Sequence, residues 1–238
     1  MSRLSVPPVS RGTNEPSGDA PRSFSIVDPM FAPPSTSPFP PGGSPFRQKG
    51  NGYLGDFEFF EKSVPGGKAA VLDAVTAEPM RAFLSQTFRS SEWYDAYPCA
   101  VMHATAARLK RQPFEVFRKA VGAYHANEAR GGIYRTLLRM ISTETVALWA
   151  PRISAIYFEF GKRETHVVGP REVLGTWTGV PAALAQFVAF ASCGLAEETL
   201  RVVGASRPRV DVTSVRADAE TPGQTQALYT LSLRLAWG

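Results

Sequence analysis

The chain has 238 residues with a formal net charge of +5 and an isoelectric point near 9.4. Its basic residues are scattered, and the densest run, Arg108, Lys110 and Arg111, reads as the solvated end of a helix rather than a phosphate-binding patch. Two distant cysteines, Cys99 and Cys193, exclude a disulfide framework, and no stretch reaches the roughly 20 apolar residues of a membrane-spanning helix.

The first fifty residues carry eleven of the twenty prolines and are rich in Ser and Gly. They have no apolar period, so residues 1–52 are expected to form a disordered arm ahead of a single domain over 53–238. Arg3 is followed by Pro7 and Pro8 instead of an apolar run, which argues against a secretory signal. Reduced thiols in a cytoplasmic protein are the expectation.

"YLGDFEFFEKSV" (53–64) is aromatic-rich and reads as a short strand or docking segment, and "PGG" (65–67) marks a turn. A helical stretch follows, broken at Pro79, which suits the first turn of a second helix carrying Met80, Phe83, Leu84 and Phe88 on one stripe. The next helix is capped by Ser90, Ser91 or Asp95, and Cys99, Met102, Ala106 and Leu109 form its buried face. Phe114, Phe117, Val121, Tyr124 and His125 make the stripe of another, with Glu115, Arg118, Lys119 and Glu128 mostly off it and Gly131-Gly132 as its stop.

"IYRTLLRM" (133–140) reads as helical. Ser142 or Thr143 can cap the segment after it, which Pro151 is expected to kink or split. From Phe158 to Trp177 the pattern becomes strand-like. The stretch 181–203 is the most apolar helix, and Ala183, Ala185, Ala189, Ala191 and Gly194 would admit a close backbone, from the sheet side or from a twin helix in a dimer. Two alternating strands close the chain, the second burying Tyr229, Leu231, Leu233, Leu235 and Trp237. This order predicts an α+β domain with an antiparallel sheet.

"EWYDAYP", "AARL", "IYRTLLRMIS", "PRISAIYFEFG", the alanine-rich helix ending "VVGA" and a last strand ending in Trp-Gly resemble a paralogous family of uncharacterised proteins best known from myxobacteria. That family is similar in layout to the four-vinyl-reductase, haem-NO-binding and TRAPP-subunit fold. The resemblance spans roughly Phe57 to Gly238. It implies a helical layer on a four-to-five-stranded antiparallel sheet, often dimeric, with a hydrophobic cavity between helices and sheet. The Tyr-x-Ser-x-Arg haem-propionate signature and the metal-binding cysteine cluster of some relatives are absent from this sequence.

His125 is a candidate haem or metal ligand, weighed against a buried histidine donating to a carbonyl or carboxylate. Cys99 and His103 stand i, i+4 on one helix. They could form a nucleophile and its base, with the thiol pKa lowered in the first turn, or half a metal site with no third ligand at a recognisable spacing. Met102, Phe117, Val121 and Tyr124 would line a ligand cavity. His166 reads as a surface strand residue, Cys193 as a small hydrophobe, and Trp93, Tyr94 and Tyr97 as an aromatic staple. The leading expectation is a non-enzymatic ligand-sensing or protein-interaction module, a homodimer of unidentified cofactor that binds no nucleic acid. The alternatives are a sensor of haem or a small hydrophobic molecule, and a thiol-dependent enzyme using Cys99 and His103.

Overall fold

A computed structural model describes residue 33 and residues 36–128, 142–218 and 226–238, with the side chains of 149–154 outside the description. The Gly131-Gly132 stop, the helix expected over 133–140 and the loop at 219–225 therefore lie outside the described residues.

The chain enters the fold earlier than its proline content suggests. Phe39 and Phe46 pack edge-on against Tyr97, and Ser44 and Gln48 are buried. Strand β1 (Arg47–Lys49) pairs antiparallel with β2 (Trp93–Asp95), a two-stranded ribbon that the sequence pattern did not announce. Proline spacing here marks a chain without its own period, but aromatic side chains between the prolines still find a core.

The aromatic segment after it is helix α1 (Gly50–Ser63), not a strand. Helical phase puts Gly52, Tyr53, Asp56, Phe59 and Phe60 on one buried face. Two short helices follow, α2 (Gly67–Asp73) and α3 (Glu78–Leu84), the latter with Pro79 in its first turn. Helix α4 (Ala96–Leu109) starts at Asp95, whose carboxylate accepts from the Tyr97 N–H at 2.9 Å and from Gly42 N–H at 3.1 Å. One side chain thus caps α4 and fastens the entering segment. Helix α5 (Phe114–Glu128) buries Phe117 and Val121 as expected from their spacing, and also Arg118.

Helix α6 (Thr143–Tyr157) is capped by Ser142 Oγ, which accepts from the Thr145 N–H at 3.2 Å. It runs through Pro151 rather than splitting there, although the proline removes one backbone hydrogen bond. Strands β3 (Lys162–Gly169), β4 (Glu172–Pro181), β5 (Arg209–Ala217) and β6 (Leu228–Ala236) form an antiparallel sheet in the order β3-β4-β6-β5. Register brings Val173 opposite Leu235 and Trp177 opposite Leu231, the apolar face foreseen from β6.

A 3-10 turn at Ala182–Leu184 leads into α7 (Ala185–Val202). This helix packs on α5 along one side and on β5 and β6 along the other, so its small-residue face is covered within the chain and supplies no argument for a twin helix. The crossing is close because glycines face backbone. A Cβ on Gly194 would stand 2.0 Å from the Lys119 carbonyl oxygen, and one on Gly122 would stand 2.2 Å from that of Ala191. The architecture is α+β, a helical layer over a four-stranded antiparallel sheet.

A single methyl at this crossing must therefore push two helices apart. Gly194→Ala is expected to lower the free energy of unfolding by about 3 kcal/mol, the upper part of the overpacking range. Urea denaturation monitored by circular dichroism measures it.

Candidate functional site

The most unusual chemistry in the fold is a carboxylate inside the helical layer. Asp56 is 1% exposed and lies in a cluster of polar groups from three other elements. His125 Nε2 of α5 lies 2.8 Å from Oδ1. On α4, Cys99 Sγ donates to Oδ2 at 3.1 Å, and His103 Nε2 stands 3.0 Å from the same oxygen. Arg118 Nη1 is 3.7 Å from Oδ1, and Gln48 of β1 donates through Nε2 to Cys99 Sγ at 3.2 Å.

Each group is held from behind. The Arg118 guanidinium donates from Nε to the Phe187 carbonyl at 3.0 Å and stacks 4.0 Å above the Phe187 ring. His103 is fully buried in a box of Phe60, Phe117 and Phe187 rings, all edge-on to it. Gly55 leaves room for the His125 ring, since a Cβ there would meet the imidazole at 2.5 Å.

Burial opposes the Asp56 charge, but the facing imidazoles of His103 and His125 outweigh it and hold the carboxyl well below its usual range. Burial, and then the same carboxylate, push the Cys99 thiol well above its usual value. Burial pulls His103 down to about 4. The expected lowering of the Cys99 pKa by the helix N-terminus is thus reversed. Cys99 is the fourth residue of α4, fully buried, and faces an anion. As a nucleophile it is neither ionised nor reachable. The sequence offered Cys99 and His103 no third partner; the fold supplies Asp56.

The other candidate residues lie elsewhere. Met102, Phe117 and Val121 are fully buried in the filled helical core, and Tyr124 reaches the surface, where its hydroxyl accepts from Lys62 at 2.6 Å. They are not among the lining residues of the crevices described below; Phe117 instead packs against Phe59, Phe60 and His103. Cys193 is buried, and burial pushes its thiol up to about 12. His166 is exposed on β3. Asp56, Gln48 and Arg118 were missed. The available signal was Asp56 amid aromatic residues at helical phase, obscured by reading that segment as extended.

Three crevices can receive a small molecule. The first, about 60 Å³, opens between α6, α7 and the sheet and is lined mainly by apolar atoms, including Val146, Trp177, Leu195, Leu200, Leu233 and Leu235. The second, about 30 Å³, touches Asp56, Arg118 and His125. The third, about 230 Å³, lies between the entering segment and α3 and α4, near Phe39, Met80 and Val101. No described helix is long and apolar enough to cross a membrane.

No protein-family model and no curated protein matches this chain. Solved structures do. A Cs H-NOX mutant aligns with a TM-score of 0.57 at 10% identity, over 79% of this chain and 96% of that one. The Fe(II) unliganded H-NOX protein from K. algicida gives 0.53 at 10% identity, over 80% and 96%. An oxygen-binding H-NOX domain related to soluble guanylate cyclases gives 0.52 at 10% identity, over 79% and 92%. The likeness establishes that this chain has the haem-NO-binding fold.

The buried cluster makes the fold acid-sensitive in a defined window. The folded state holds His103 neutral with a pKa near 4, against an ordinary 6.5, so the unfolded chain binds its proton first as pH falls. Its contribution is complete above pH 6.5 and is lost between 6.5 and 4; the Asp56 contribution is lost below that, as pH falls through its depressed pKa. Unfolding free energies from urea titrations should fall by on the order of 3 kcal/mol through His103 between pH 7 and 4, and His103→Gln should flatten that slope.

Proposed function

We propose that this domain is a non-enzymatic sensor that takes a small hydrophobic molecule into the crevice between α6, α7 and the sheet. The observation that carries this reading is the lining of that crevice. Apolar side chains from both layers converge on an opening, where a filled interface would otherwise be expected. Arg163 and Glu164 also line it and can orient a polar end of the ligand. The shared fold supports a sensing role.

Haem, which the fold relatives raise, does not fit the described residues. A water needs on the order of 10–15 Å³ in such a cavity, so the crevices of about 60 and 30 Å³ hold a few waters each and not a porphyrin. The apolar crevice and the larger one near Phe39 have no histidine, cysteine or tyrosine in their linings. His125 does face a crevice, but its Nε2 is engaged by Asp56. A sensor of an apolar ligand other than haem is the reading these residues favour.

Xenon is a suitable probe, because it is small enough for the crevice and its NMR chemical shift reports entry into apolar sites. Saturable binding to the wild type is expected, with at least tenfold weaker binding to Ala196→Phe, which fills the crevice, at unchanged circular dichroism. Equal binding by that variant overturns the reading. So does a haemin Soret shift that disappears in His125→Ala.

A further inference from the structure

We propose that Asp56, Cys99 and His103 form a binding site for one divalent transition-metal ion of the zinc class, inside the helical layer and separate from the apolar crevice. One ligand atom from each of the three residues falls within a sphere of donors no more than 4.8 Å apart. A carboxylate, a thiolate and an imidazole are the donor types that zinc and its borderline neighbours accept.

The second observation is an under-satisfied imidazole. His103 is fully buried; its Nδ1 has no hydrogen-bond partner, and its Nε2 has only the Asp56 carboxylate, 3.0 Å away and outside good hydrogen-bond geometry. Buried polar groups are almost always paired, because leaving one unpaired costs about 1–3 kcal/mol. Gln48 Oε1 nearby also lacks a hydrogen bond, and Arg118 Nη1 has only its ion pair with Asp56. An ion between Oδ2, Sγ and Nε2 gives the imidazole a partner and uses the side of the ring that already faces the cluster.

The geometry needs little adjustment. Four-coordinate zinc holds nitrogen and oxygen at about 2.0–2.1 Å and sulfur at about 2.3 Å, so neighbouring donors stand roughly 3.3–3.6 Å apart. Oδ2 is 3.0 Å from Nε2 and 3.1 Å from Sγ, so those two pairs must spread by a few tenths of an ångström, while Sγ and Nε2 stand within 4.8 Å of each other. A crevice of about 30 Å³ opens beside Asp56, lined also by Gln48, Arg118 and His125. His125, the one imidazole of the cluster with some exposure, binds the other carboxylate oxygen and would orient the ligand from outside. Gln48 Nε2 is already aimed at the sulfur and would support a thiolate.

Charge is accounted for in both states. Without the ion, the Asp56 carboxylate is matched by Arg118 and the Cys99 thiol keeps its proton. When the ion binds, a Cys99 Sγ–metal bond forms, the S–H bond breaks and one proton leaves to solvent. The site then carries a net +1 from the ion, two anionic ligands and Arg118.

The test uses the full chain and Co²⁺ as the probe, because cobalt reports its ligands by colour. One equivalent should bind and give a near-ultraviolet thiolate-to-cobalt charge-transfer band. Cys99→Ser should abolish the band, whereas Cys193→Ser should retain it. His103→Gln should weaken binding by more than tenfold, and His125→Gln by about 10–100-fold with the band kept. Release of one proton per cobalt ion in weakly buffered wild-type protein tests the thiolate without any substitution, should a variant fail to fold. No band and no proton release on the wild type, or a band that follows Cys193 instead of Cys99, overturns the site.

Discussion

Asp56 is the constraint around which the helical layer is organised. A carboxylate buried to 1% exposure is tolerable only when its charge is answered at close range, and here the answers come from separate parts of the chain. α1 brings the anion, α4 brings Cys99 and His103, α5 brings Arg118 and His125, and β1 brings Gln48 to the sulfur. Removing the anion would leave a buried guanidinium facing two imidazoles. Such an arrangement ties the register of three helices to one another far more specifically than the surrounding Phe–Phe contacts, which tolerate sliding.

The sheet side obeys a different rule. There the close approach of α5 and α7 through Gly122 and Gly194 lets α7 serve both layers, packing on α5 along one side and on β5 and β6 along the other. A helix held this near to one neighbour sits less deeply on the other, and the apolar crevice under α7 is where that compromise shows. The polar cluster and the apolar crevice thus stand on opposite faces of one architecture. Ser192 and Leu195 of α7 line both the apolar crevice and the small one at Asp56.

Periodicity made the α+β class, the buried faces of α4 and α5 and the alternation of β6 legible, because each of those elements has one wet and one dry side. It failed at α1, where aromatic residues on several sides erase the helical period and mimic a strand. It also failed at Arg118, which hydrophobic patterning assigns to solvent but which is buried by stacking on Phe187. The candidate site was legible only in part. Cys99 and His103 are paired by local helix geometry, whereas Asp56 joins them from 43 residues away, a distance set by tertiary packing alone. His125 was visible as a member of an apolar stripe, but the identity of the carboxylate it meets was not.

The ribbon of β1 and β2 has a practical corollary. Gln48 and Phe46 lie within the stretch that composition marks as dispensable, yet one touches the Cys99 sulfur and the other wedges against Tyr97 and Phe160. A chain trimmed where the prolines thin out, at residue 53, would lose one wall of the polar cluster together with the strand that fastens α4. Residues as early as Phe39 therefore belong to the packed unit through what the interior touches, whatever their composition suggests.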